Sequence, residues 1–209
     1  FEFFDISSPD GFEYKGKIDF HLNHDERIEA NIEALKLTQA IFKQNRKFAT
    51  PEEQEILARY SGFGGLRNLF YEDKYAAKRN ELLYIVGDKH YKGIVESGFT
   101  AYYTPYDIVK NMYDNLIYKF GVGENNRIRA LEPSCGIGHF ITAAPNNFYF
   151  EAVEKDVITA TIAKFLHPKT RIYNKGFEEV NFDGKEFDVV IGNPPYDNER
   201  EDKELIHNY

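Results

Sequence analysis

Cysteine and methionine each occur once in this chain of 209 residues, and tryptophan is absent. The lone Cys135 excludes an internal disulfide and suits a reducing compartment. No apolar run approaches the roughly 18 residues of a membrane span, and no signal-peptide layout is present. A soluble, cytoplasmic protein without a membrane partner is expected. A basic excess is also missing. The net charge is −8, and only the middle third is mildly basic, so bulk composition does not advertise nucleic-acid binding. An acidic total still leaves DNA open, because a local basic strip or another domain can supply phosphate contacts. No repeat is apparent. Instead, 18 Phe and 15 Tyr supply most of the large side chains for a packed core.

The first half reads as mainly helical. Glu13 to Phe20 hints at a short hairpin. From about Asp25, Ile28, Ile32, Leu35 and Phe42 fall near one helical face. Thr50-Pro51-Glu52-Glu53 is a capping box with proline at the first helical position, so a second helix runs from there to about Tyr60. It stops at Ser61-Gly62-Phe63-Gly64-Gly65-Leu66, whose glycines suit a tight turn or a phosphate cradle. Leu66 to Glu96 reads as helix with a break near Gly87. Thr104-Pro105-Tyr106-Asp107 is another helix start, with Thr104 as cap, and Ile108, Met112, Leu116 and Phe120 form the stripe expected to face the core.

After Gly121 the pattern changes. Strands are expected at Ile128–Leu131, Phe148–Val153, Arg171–Tyr173 and Glu186–Ile191, with helices at His139–Ala144 and Val157–Leu166 between them. Alternating strands and helices mean a parallel sheet with right-handed crossovers. The expected fold class is therefore α/β, with a mainly helical region over 1–98 and an α/β core over 99–209.

The last expected strand runs straight into Asn193-Pro194-Pro195-Tyr196. Two prolines cannot donate to a ladder, so they end the strand and leave Asn193 and Tyr196 on a stiff corner. In open α/β sheets ligands bind at the carboxyl ends of strands. At the end of the first strand stands Glu132-Pro133-Ser134-Cys135-Gly136-Ile137-Gly138. Its two glycines let backbone approach a ligand closely, and the following helix start favours an anion. It is not the dinucleotide fingerprint G-x-G-x-x-G. Glu154 ends the next strand, where an acid suits a bidentate bond to ribose hydroxyls. The ordinary alternatives are a plain βα turn and a solvated acid beside Lys155 and Asp156.

Taken together these motifs resemble the S-adenosylmethionine-dependent methyltransferases, and more narrowly the adenine-N6 DNA methyltransferases. Asn193-Pro194-Pro195-Tyr196 matches the family's Asn/Asp-Pro-Pro-Tyr/Phe motif, and Glu132 to Gly138 resembles its methionine-binding loop. Tyr103-Thr104-Pro105 resembles the additional motif upstream of the core. Glu154 sits where the ribose-binding acid is expected. Gly176-Phe177 follows the third strand, where the family often has an acid and then an aromatic packed on the cofactor adenine; here Gly176 holds the acid's place. The resemblance implies S-adenosylmethionine as cofactor and DNA as partner. It implies a base flipped from the duplex, its N6 held by Asn193 and Pro194 and its ring stacked on Tyr196. Tyr60 to Leu66 is more loosely similar to a segment of methylase–helicase proteins of mobile elements.

A Rossmann-like methyltransferase sheet normally has seven strands, and four are countable. The core is thus expected to be partial, missing its C-terminal end, with an open edge beside the last strand and a downstream target-recognition or helicase region in a longer chain. Two other functions fit the motifs: a glutamine-N5 protein methyltransferase, which also grips a planar NH2 group, and a non-catalytic cofactor-binding fragment. No metal is expected, because His21 and His24 with Asp25 lack further ligands. Cys135 has no base placed to activate it.

Overall fold

The structure, a computed structural model, describes residues 11–18, 20–97 and 103–194. Its first segment is pinned rather than paired. The expected hairpin is absent, and residues 11–18 form no strand. Tyr14 N–H donates to Leu166 O (2.8 Å), and Lys15 Nζ donates to Ile141 O and Ala144 O at 2.8 and 3.2 Å. The Lys15 ammonium reaches inward to two main-chain carbonyls more than a hundred residues away, contacts that a short local hairpin does not provide.

Glu13 fixes the same segment from the other side. It accepts from the fully buried His167 (3.0 Å), from Lys169 N–H (3.2 Å) and from the Thr170 hydroxyl (3.2 Å). Burial works to raise the Glu13 pKa, but these partners outweigh it and hold the carboxyl below its usual value. A depressed folded pKa adds stability above the unfolded value and loses it as pH falls through the folded one. Glu13→Gln is expected to cost about 1–2 kcal/mol at pH 7, roughly 3–6 °C in Tm. The gap should narrow as the pH falls below the ordinary carboxylate range. A gap of equal size there and at pH 7 would show that the charge is not its source.

Helix α1 (His24–Lys43) opens on a capping box that the sequence reading did not single out, Asn23 with Glu26. It buries Ile28, Ile32, Leu35 and Ile41. The expected box at Thr50 and Glu53 does open α2 (Pro51–Leu57). That helix ends three residues earlier than expected, because Arg59 and Tyr60 N–H turn back to Ile56 and Leu57 O at shorter range. Gly62 and Gly65 then take positive φ (64° and 74°), and Leu66 N–H closes a turn on Phe63 O, so the glycines act as a helix stop. Next come α3 (Asn68–Tyr71), a 3-10 turn at Asp73–Tyr75, and α4 (Ala76–Ser97), which breaks at Gly87 as expected (φ 76°, ψ 163°).

Helix α5 (Tyr106–Phe120) differs from expectation in two ways. Pro105, not Thr104, is its N-cap, and Ile108 and Val109 N–H bond to the Pro105 carbonyl. Its core face is Val109 and Tyr113, both within 1% of full burial, with Leu116 packed beside them. Ile108 and Met112 instead stand 52% and 39% exposed, and Phe120 is also exposed. The helix is rotated by one residue because Tyr113 carries its hydroxyl to Phe140 O (2.9 Å) and stacks edge-on against Phe148.

The sheet follows: β1 (Ile128–Glu132), helix α6 (His139–Ala143), β2 (Phe148–Val153), helix α7 (Val157–Leu166), β3 (Arg171–Tyr173) and β4 (Val189–Val190). The order is β3-β2-β1-β4, all parallel. This is the α/β, Rossmann-like arrangement of four strands that the sequence implied. The last strand is shorter than expected, since only Val189 and Val190 pair with β1, though Asp188 and Ile191 N–H still bond to Arg129 and Leu131 O. Helix α7 is apolar nearly all round and buried, with α1 and α2 against it. Among the described residues no strand pairs with the other side of β4; Val190 is 62% exposed, and it borders a groove lined by Ile108, Met112 and Leu116 of α5.

Packing divides the chain into two compact units. One joins the residues up to Ser61 with Tyr103–Asn193; the other holds Gly62–Tyr102 and the residues from Pro194. Among the described residues no helix is long and apolar enough to cross a membrane.

Candidate active site

The loop after β1 is held from beneath by β2. Cys135 N–H donates to Val153 O (2.8 Å), and Gly138 N–H turns back to Cys135 O (2.8 Å). Gly136 has φ 56° and Gly138 φ 91°, conformations that suit glycine. Neither position has room for a side chain. A Cβ at Gly136 would meet the Tyr103 ring at 2.4 Å, and one at Gly138 would meet the His167 ring at 2.6 Å. The helix that follows, α6, has only five residues, so the anion-favouring helix start expected here contributes little.

Two acids stand at the carboxyl ends of neighbouring strands. Glu154, after β2, accepts Gly136 N–H at 2.9 Å and Asp156 N–H at 2.8 Å, one on each oxygen. Burial pushes its pKa up to about 7, against the pull of those N–H groups. Glu132 ends β1 and is 1% exposed. Its Oε2 has no hydrogen-bond partner among the described residues. Burial first, and then the nearby Glu154, push its carboxyl well above the usual range, which favours the protonated form. Burial likewise raises the Cys135 thiol, which favours its protonated form.

Tyr103 lies over Gly136 and against the His139 ring, 5.0 Å between centroids. Thr104 is placed by its carbonyl, 3.3 Å from His139 Nδ1, and its buried hydroxyl is unpartnered among the described residues. The strand-ending corner arrives beside this loop. The Ser134 hydroxyl donates to Asn193 O at 3.4 Å, and a Cβ at Gly192 would stand 3.3 Å from Glu132 Cγ and 3.4 Å from Pro133 Cδ. Tyr103, Thr104, the 132–138 loop, Glu154 and Asn193 are therefore brought together. Pro194 falls in the other compact unit, while Pro195 and Tyr196 lie outside the described residues. Gly176 and Phe177 make their own short turn: Gly176 N–H goes to Glu179 (2.8 Å), and the half-exposed Phe177 ring meets Phe182.

Three supporting residues escaped the sequence reading. His167 is the floor under Gly138, wedged between Glu13 and the Thr142 hydroxyl (3.2 Å). Tyr60, 3% exposed, bonds to the Thr159 hydroxyl. The Thr159 hydroxyl in turn donates to Asp156 at 2.6 Å. Asp156 caps α7 and also reaches Glu154 through its N–H, which continues the line to the loop. Only its place next to the glycine segment marked Tyr60; nothing local marked His167. Among the described residues no group of three His, Cys, Asp or Glu is placed to hold a metal.

The stretch from α6 onward, with its corner at Asn193, is also what known proteins share. Residues 142–209 match the Eco57I restriction-modification methylase family. The match takes in β2, α7, β3, β4 and the Asn-Pro-Pro-Tyr corner of this chain, about a third of its length. No curated protein matches. Among solved structures, one similar chain is assigned to the class I S-adenosylmethionine-dependent methyltransferases and comes from Listeria monocytogenes. It has 18% identity and TM-score 0.40, over 87% of this chain and 63% of that one. A second is the methyltransferase subunit of a type I restriction-modification system from Streptococcus thermophilus (16%, TM-score 0.40, 83% and 39%). A third is the type IIG restriction endonuclease BpuSI (14%, TM-score 0.40, 82% and 25%). This chain thus spans less than two thirds of each. Likeness of that degree leaves the reading to the family match and to the site itself.

Proposed function

We propose that this site transfers a methyl group from S-adenosylmethionine to N6 of adenine in DNA. The observation that carries the reading is the Ser134–Asn193 contact. It joins a glycine loop with buried acids to the corner that lies within the methylase-family match. The donor set fits a cationic nucleoside: two buried carboxyls, an unpartnered Glu132 oxygen and an unpartnered Thr104 hydroxyl among the described residues. S-adenosylmethionine, when bound, supplies an electrophilic methyl group on a sulfonium.

The chain's own residues do the rest. Glu154 has each oxygen anchored by a backbone N–H, so its remaining lone pairs are fixed in direction for ribose hydroxyls. Gly136 and Gly138 bring backbone close to the donor, with Tyr103 as a lid on one side and His167 as a floor on the other. Asn193 and the Pro194 carbonyl accept the N6 hydrogens of a flipped adenine, which positions a poorly nucleophilic amine, and Tyr196 stacks on its ring. The Cys135 thiol is neutral and buried, so transfer is direct, without an enzyme thioether.

The test is incubation of the protein with labelled S-adenosylmethionine and mixed-sequence DNA, followed by nucleoside analysis. Label in N6-methyladenine is expected. Label in a glutamine side chain of a protein substrate, with none in DNA, would reassign the acceptor.

A further inference from the structure

Glu132 is not used up by the geometry described so far. Its carboxyl is enclosed at the end of β1, on the side of the chain that leads to the acceptor corner. The Gly192 position lies 3.3 Å from Glu132 Cγ and 4.0 Å from Oε1, measured from an ideal Cβ. Glu154, by contrast, is committed to the loop and to the start of α7. The two acids therefore serve different ends of a bound donor, with Glu132 at the end where the methyl group meets Asn193.

The groups that face Glu132 are of one kind. Glu154 stands at the end of β2, Cys135 in the loop, and Tyr113 on α5. Each is neutral or acidic, and among the described residues none of them brings positive charge. A lone carboxylate enclosed there, with Oε2 unpartnered among the described residues, is costly, and burial favours its protonated form. An arriving cation reverses the balance, because an opposite charge within about 4–6 Å favours the ionised form. The donor sulfur is cationic before transfer and uncharged after it.

We propose that Glu132 reads the charge on the donor sulfur, so that S-adenosylmethionine binds with release of a proton and S-adenosylhomocysteine does not. Glu132 is then a specificity-determining residue. It favours donor over product, and once the sulfur is neutral it takes a proton back from solvent, which helps the product leave. The inference rests on the reading of the site as an S-adenosylmethionine site.

The experiment is calorimetric titration of both compounds at pH 7 in buffers of different ionisation enthalpy, from which protons exchanged on binding are counted. For the parent protein, S-adenosylmethionine should release up to about one proton more than S-adenosylhomocysteine. In Glu132→Gln the difference should vanish, and the ratio of donor to product affinity should fall about tenfold or more. In Glu154→Gln the difference should persist. Equal proton counts for the two compounds in the parent would overturn the inference without recourse to any variant, as would a difference that survives in Glu132→Gln. Binding of neither compound to the parent would instead overturn the donor-site reading underneath.

Discussion

Asn193→Ala is expected to reduce methyl transfer by about 10²–10³-fold or more while the dissociation constant for S-adenosylmethionine changes less than about threefold. Asn193 touches the donor loop through its backbone carbonyl, which accepts from Ser134 and survives the substitution. What is lost is the side-chain acceptor for the amine. Adenine N6 has its lone pair delocalised into the ring, so its reactivity depends on being held in line and on hydrogen bonds that favour a tetrahedral nitrogen. Loss of one such directing group therefore falls on the chemical step. Rates with saturating donor, together with calorimetric affinities, separate the two effects. Unaltered turnover in Asn193→Ala would remove the corner from the mechanism. An equal loss of donor affinity would make it a structural strut instead.

Gly136→Ala should act on the other half. The residue sits at φ 56°, which costs an L-residue roughly 1–2 kcal/mol. Its new Cβ would also lie 2.4 Å from Tyr103 Cε1, closer than real contacts come, so the Tyr103 ring must shift. The same residue's N–H anchors Glu154, so strain there disturbs the acid proposed to hold the ribose as well. A combined penalty of about 2–4 kcal/mol corresponds to a roughly 30- to 1000-fold loss of donor affinity. Gly93→Ala is the control, since it has open space around it and no positive φ. Donor binding by Gly136→Ala within a few-fold of the parent would show that the loop does not carry the donor.

Much of this was legible before the structure. The strands at Ile128, Phe148 and Arg171 follow from β-branched and aromatic runs bounded by turns, and the structure begins each at the expected residue. The helix start at Pro51 and the break at Gly87 were equally local, a capping box and a glycine, and both hold. Misreadings arose where a distant partner decided. The periodicity of α5 offered two adjacent apolar stripes, and the Tyr113 hydroxyl, seeking Phe140 O, selected the one that had not been chosen. Thr104 had the chemistry of a cap, but Pro105 took that role and left the hydroxyl buried at the site. The hairpin over 13–20 lost to long-range bonds from Glu13, Tyr14 and Lys15.

In the candidate site, the motif residues were legible because backbone chemistry marks them: glycines where Cβ has no room and an acid at a strand's end. His167, Tyr60 and Asp156 were missed because they act through a second residue. An imidazole under a glycine, a tyrosine bonded to a threonine and a cap that also reaches Glu154 leave no local pattern.

The most direct measurement is calorimetric titration of S-adenosylmethionine into the protein. One saturable site per chain, with a dissociation constant on the order of 1–100 µM and competition by S-adenosylhomocysteine, is the predicted result. Absence of binding at millimolar donor, from protein whose folded state is confirmed by a cooperative thermal transition, would contradict it.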